Sequence, residues 1–125
     1  MALSQKQFND FCRKLPVTTH VVQWGGADVW KVGGKVFAIG GWSKDDENVF
    51  GVTFKVSEIA YEMLREAEGC RPAPYLASRG MKWIQSYARP GLTPKELKAY
   101  IRTSHKIVAS GLSKKKQKEL GLLSE

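Results

Sequence analysis

The sequence predicts an α+β domain in two layers. An antiparallel sheet of about five strands carries helices on one face, in the order α-β-β-β-β-α-β-α. Three observations predict it. Strand-like alternation runs from residue 20 to 56 and contains a Gly-Gly turn. Helix-capping residues stand at Ser4, Ser57 and Thr93. Apolar residues recur at helical spacing after each of these caps.

The elements follow in chain order. Ser4 and Gln7 have the spacing of a capping box, with Leu3 and Phe8 placed as a hydrophobic staple. Phe8, Phe11, Cys12 and Leu15 continue at helical spacing until Pro16 stops the run. "HVVQW" (20–24) reads as a strand. "DVWKVGGKVFAI" (28–39) reads as a hairpin, because Gly33 and Gly34 can take the positive φ angles of a two-residue turn. A regular ladder from that turn pairs Val32 with Lys35, Trp30 with Phe37 and Asp28 with Ile39. Trp30, Val32, Phe37 and Ile39 then share the core face, and Val29, Lys31, Val36 and Ala38 the other. Acidic "SKDDEN" (43–48) is a loop, and "VFGVTFKV" (49–56) turns Phe50, Val52, Phe54 and Val56 inward.

Ser57 caps a second helix with Ile59, Ala60, Met63, Leu64 and Ala67 as its apolar side and Gly69 as its stop. Cys70 to Gly80 reads as an ordered turn stiffened by Pro72 and Pro74, and "MKWIQSY" (81–87) as the fifth strand. Thr93, Pro94 and Glu96 begin the third helix. Leu97, Tyr100, Ile101, Ser104, Ile107 and Val108 fall on one side of it. Lys95, Lys98, Arg102, His105 and Lys106 fall opposite. Residues 1–112 are expected to form one domain, and 113–125 a basic tail with material for a short helix.

The chain has 125 residues and is 42% hydrophobic, enough for a core. No apolar run has the length of a membrane span, and the first residues lack the basic and apolar regions of a signal peptide. A cytoplasmic location is expected, with no membrane partner. The net charge of +8 is unevenly placed: residues 1–62 are neutral, and the whole excess lies in 63–125. A one-sided positive field suits a polyanion such as nucleic acid, and it also suits simple solubility.

Signals for catalysis are poor. His20 and His105 have no acidic partner at meaningful spacing, Cys12 lies on an apolar stripe, and the acidic loop lacks the ligand spacing of a calcium site. No enzyme activity, cofactor or metal is expected. Binding signals are better. The four tryptophans (24, 30, 42 and 83) include potential stacking surfaces. Lys98, Arg102 and Lys106 recur at i, i+4, i+8 and can track phosphates, as can the lysine run at 114–118.

Several stretches together resemble the MmcQ/YjbR family of small bacterial proteins. They are "DVWKVGGKVFA" (28–38), "VTFKVS" (52–57), "RPAPYL" (71–76), "KWIQ" (82–85) and "SHKIVASGLSKKKQKEL" (104–120). The resemblance implies a compact α+β domain similar in outline to secretion-chaperone-like folds. It also implies DNA binding through protruding hairpins and the basic residues around them, with no catalytic set. The matching positions are Lys31 and Lys35 at the hairpin, and Arg71, Arg79, Lys82 and Trp83 farther on. Before the tryptophan, Ser78 to Met81 carry less positive charge than is usual in the family.

The leading expectation is therefore a non-enzymatic DNA-binding protein of low sequence specificity. Its contacts would come from Lys31, Lys35, Arg71, Arg79, Lys82 and Trp83, assisted by Lys98, Arg102 and Lys106. The alternative is a protein-interaction module using the small-residue sheet face (Val29, Val36, Ala38) or an open strand edge. A third possibility is a small-ligand pocket framed by Trp24, Trp42 and Tyr75, or an enzyme whose residues converge only in space.

Overall fold

The structure is a computed structural model that describes residues 3–23, 25–41, 49–73, 82–88 and 91–122. Trp24, Trp42, Tyr75, Arg79 and Met81, the acidic loop and the 78–81 segment lie outside the described residues. Helix α1 (Gln5–Lys14) leads into strands β1 (Thr18–Gln23), β2 (Ala27–Val32), β3 (Lys35–Gly40) and β4 (Val52–Lys55). Helix α2 (Glu58–Leu64), strands β5 (Cys70–Pro72) and β6 (Trp83–Ser86), and helices α3 (Pro94–Ser110) and α4 (Lys114–Glu119) complete the order. The sheet has the order β1-β2-β3-β4-β6-β5, and every neighbouring pair is antiparallel.

The caps form where the sequence places them. Ser4 Oγ accepts from the Gln7 amide at 3.1 Å while Gln7 Oε1 accepts from the Ser4 amide at 3.0 Å. Thr93 and Glu96 do the same for α3. Ser57 and Ser113 cap α2 and α4 with their hydroxyls. Residues of all three long helices meet one sheet face. Phe8, Cys12, Tyr61, Leu64, Leu97, Ile101 and Val108 join Trp30, Val32, Phe37, Phe54 and Ile84 in a single cluster.

The hairpin departs from a regular ladder. Val32 pairs with Lys35 and Lys31 with Val36, but Trp30 then pairs with Ala38 and Asp28 with Gly40. Phe37 is an extra residue, a β-bulge that changes which side chains face the helices. Ala38 joins the main core, whereas Ile39 moves to the opposite face beside Val29 and Ala27. Close packing accounts for the exchange. At Gly40 a Cβ would lie 2.5 Å from Phe8 Cε2 and 2.6 Å from Phe50 Cζ, so only glycine fits under those rings. A regular ladder would place Ile39 on that crowded face.

Three further expectations change. Cys70–Pro72 is an edge strand, making six strands among the described residues, instead of part of a turn. Three residues are too few to show periodicity, and a proline is tolerated at a sheet edge. Helix α2 buries Tyr61 and Leu64, while Ile59 and Met63 stand 77% and 63% exposed. His105 belongs to the buried side of α3. It is 7% exposed, Nε2 donates to Pro16 O at 2.7 Å, and the ring meets Phe37 edge-on.

The helix-free face is not open. Val29, Ile39, Thr53, Gln85 and Trp83 on it are all buried, and Ala38 lies in the main core. Of the small-residue surface expected for a partner, Val29 and Ala38 are buried and Val36 is half-buried.

Candidate nucleic-acid interface

The sheet register decides which cations meet. Gly33 and Gly34 turn the chain with φ of 59° and 83°, so the ends of β2 and β3 define one end of the sheet. Phe54 stands opposite Ala38, and Ile84 opposite Phe54. One residue closer to the turn therefore lie Lys31 on β2, Lys55 on β4 and Trp83 on β6. One step farther lie Lys35, at the start of β3, and Lys82, whose carbonyl accepts from the Val56 amide. Lys31 and Lys55 share the helix-free face two strands apart, about 10 Å by ordinary strand spacing. Lys35 and Lys82 belong to the helix side, where Lys82 Nζ sits 4.8 Å from the Tyr61 ring.

Helix α4 adds charge at the same end. A Cβ at Gly33 would lie 2.6 Å from Leu112 Cδ1 and 3.1 Å from Leu120 Cδ1, so both leucines rest on the hairpin turn. Lys114, Lys115, Lys116 and Lys118 are exposed on α4 between them. Among the described residues, Lys31, Lys35, Lys55 and Lys82 are not ion-paired with a carboxylate. Lys35 is exposed at this end of the sheet, and Lys31, Lys55 and Lys82 are half-buried there.

The other expected contacts are elsewhere. Arg71 is on edge strand β5, two rows deeper than Lys55 and Trp83 and three strands beyond β3. Its Nε donates to Gln85 Oε1 at 2.9 Å and its guanidinium lies 4.1 Å over the Tyr87 ring. Trp83 is 4% exposed, so its ring is not offered to a base. Lys98 and Arg102 lie over the Phe11 ring, at 5.9 and 5.4 Å, on the outer side of α3 and α1. With Lys106 they form a second basic strip, on α3. Lys55 is the residue that the sequence reading missed. Its alternation in "VTFKV" was visible, but its place beside Lys31 follows only from the register of four strands.

A polar cluster near α1 was also not legible. His20 Nε2 lies 2.8 Å from Asp28 Oδ1, and Gln5 Nε2 donates to Asp28 Oδ2 at 2.8 Å. Trp30 Nε1 donates to Asn9 Oδ1, and the Trp30 ring lies 4.7 Å from the His20 ring at a tilt of 34°. Burial pushes the Asp28 carboxyl up, but hydrogen bonds from His20, Gln5 and Asn9 outweigh it and hold the group below its ordinary value. This cluster locks α1 to β1 and β2. His20 and Asp28 meet because β1 and β2 set Val22 opposite Asp28 and His20 opposite Trp30, a diagonal no spacing rule predicts. Burial pushes both thiols, Cys12 and Cys70, above their ordinary range, so neither is poised as a nucleophile. Among the described residues, no group of three or more His, Cys, Asp and Glu could hold a metal, and no helix is long and apolar enough to cross a membrane.

Comparison with solved structures finds a close likeness in fold. The crystal structure of the Deinococcus radiodurans protein DR2400, with a domain of the DUF419 family, matches with a TM-score of 0.80 at 22% identity. The match covers 97% of this chain and 90% of that one. No curated protein matches significantly. The YjbR family model matches residues 13–107, from the end of α1 through the hairpin and the sheet to most of α3, and the chain belongs to the YjbR family.

Proposed function

We propose that this protein binds duplex DNA through the hairpin end of its sheet, by charge and without covalent chemistry. The observation that carries the reading is the gathering of Lys31, Lys35, Lys55 and Lys82 at one end of the sheet, with the lysines of α4 beside them. Such a cluster neutralises phosphates and releases counterions, whatever the base sequence. Low specificity follows, because phosphate neutralisation reads no base edge and Trp83, the ring at this end of the sheet, is buried. Fluorescence anisotropy against a labelled duplex, repeated over a range of salt, tests it. Replacing all four lysines by glutamine should flatten the slope of log affinity against log salt by about 3 to 4. The triple variant Lys98→Gln, Arg102→Gln, Lys106→Gln should stay near the wild-type slope. A slope that is flat in the wild type, or unchanged in the fourfold variant, refutes the reading.

A second reading has one observation in its favour. Strand β1 is a sheet edge, exposed along most of its length, with Val21 37% and Val22 59% exposed. Edges of this kind accept a strand from a partner or a second copy. Sedimentation over a concentration series should then show an association that Val22→Lys abolishes. A monomer at every concentration counts against self-association.

A further inference from the structure

The residues Arg102 and Lys106, on α3 and distinct from the four lysines of the sheet end, border a cavity. It lies between the end of α1, the C-terminal half of α3, and α4, and has a volume of about 410 Å³. Leu15, Pro16, Ala109 and Leu122 supply apolar wall, and Arg102 and Lys106, one helical turn apart and both exposed, supply charge. That volume is within the usual range for small-molecule sites, which are mostly apolar with a few convergent polar groups.

The walls are held in place. His105 Nε2 must carry the proton it shares with Pro16 O, since a carbonyl can only accept. Thr18 Oγ1 donates to Cys12 O at 3.0 Å and approaches Leu15 O at 3.3 Å. Between these anchors Val17 is kept at a φ of 55°, a conformation that a β-branched residue avoids unless its surroundings impose it. On the other side, Gln117 Nε2 donates to Leu112 O at 2.7 Å and ties α4 to the end of α3. The Arg102 guanidinium lies over the Phe11 ring, which steadies the stem and leaves N–H donors at its edge.

We propose that this cavity binds a small amphipathic carboxylate, its head between Arg102 and Lys106 and its apolar body against Leu15, Pro16, Ala109 and Leu122. Charge and lining together select that class. A free phosphate would leave the apolar wall uncovered, and a neutral hydrocarbon would leave two cations without a counter-charge. The site is independent of the DNA reading, since its cations are not those at the hairpin.

Titration of the isotopically labelled protein with octanoate, octanol and inorganic phosphate tests the proposal by amide resonances. Octanoate should saturate, shift Leu15, Arg102, Lys106, Ala109 and Leu122, and bind about tenfold or more tightly than octanol or phosphate. The double variant Arg102→Gln, Lys106→Gln should weaken octanoate about tenfold with an unchanged unfolding midpoint, because both side chains are exposed. Shifts scattered over other surfaces, equal binding of octanol, or undiminished binding by the double variant overturns it. Loss of duplex affinity in the hairpin variants has no bearing on these outcomes.

Discussion

Ser104 is the residue on which the sheet and α3 depend most directly. Pairing between β3 and β4 runs from Gly40–Val52 to Ala38–Phe54 and stops at the bulge. There the Ser104 hydroxyl, fully buried, donates to Phe37 O at 2.6 Å and accepts from the Lys55 amide at 2.9 Å. A side chain from the helix completes the ladder where the bulge opens it. Ser104→Ala leaves two backbone groups without a partner, each costing about 1–3 kcal/mol when buried. Alanine recovers up to about 0.5 kcal/mol as the better helix former. The net expectation is a loss of about 1.5–5.5 kcal/mol, or roughly 6–22 °C in Tm for a chain of this size. The void left by one hydroxyl is too small to admit water as a substitute. Thr103→Ala is the control. Its hydroxyl bonds to Ala99 O within the helix and it is exposed, so its loss should stay within about 0.5 kcal/mol. Urea unfolding measures both variants, and hydrogen exchange at the Lys55 amide reports the local break. A Ser104→Ala midpoint matching that of Thr103→Ala, with Lys55 exchange unchanged, would refute the bridging role.

Other expectations can be checked in the same way. Gly34→Ala meets no neighbour and should cost about 1 kcal/mol for its positive φ alone, whereas Gly33→Ala must also displace Leu112 and Leu120. The Gly33 variant should therefore lose more in urea unfolding and speed hydrogen exchange in α4; equal losses with unchanged exchange would dismiss the docking of α4 on the turn. Asp28→Asn should cost about 2–3 kcal/mol near neutral pH, because it breaks charge-assisted bonds to His20 and Gln5. Asp28 titrates below its ordinary value in the fold, so its contribution is complete above the unfolded carboxylate range. It is lost as pH falls through the folded value, and the gap to wild type should close in acid. A gap that persists undiminished down to acid unfolding would speak against it. Single Lys55→Gln, like single Lys31→Gln, should lower the salt slope of duplex binding by about 1, and a smaller change would take Lys55 out of the interface.

By itself the sequence determined the caps at Ser4, Ser57 and Thr93, the Gly33–Gly34 turn, the order of the longer elements and most of the buried side of α3. Each is a local matter, settled by residues within a turn or two of one another. The tertiary structure alone decided the bulge at Phe37, and with it the exchange of Ile39 for Ala38 in the core. It also decided the meeting of Lys55 with Lys31, the burial of Trp83 and His105, and the contact of His20 with Asp28. Ser104 reaches partners 49 and 67 residues away. Such contacts depend on strand register, and a shift of one residue reverses every side chain beyond it. Local spacing carries no record of that shift, because what imposes it is the packing of Phe8 and Phe50 against Gly40.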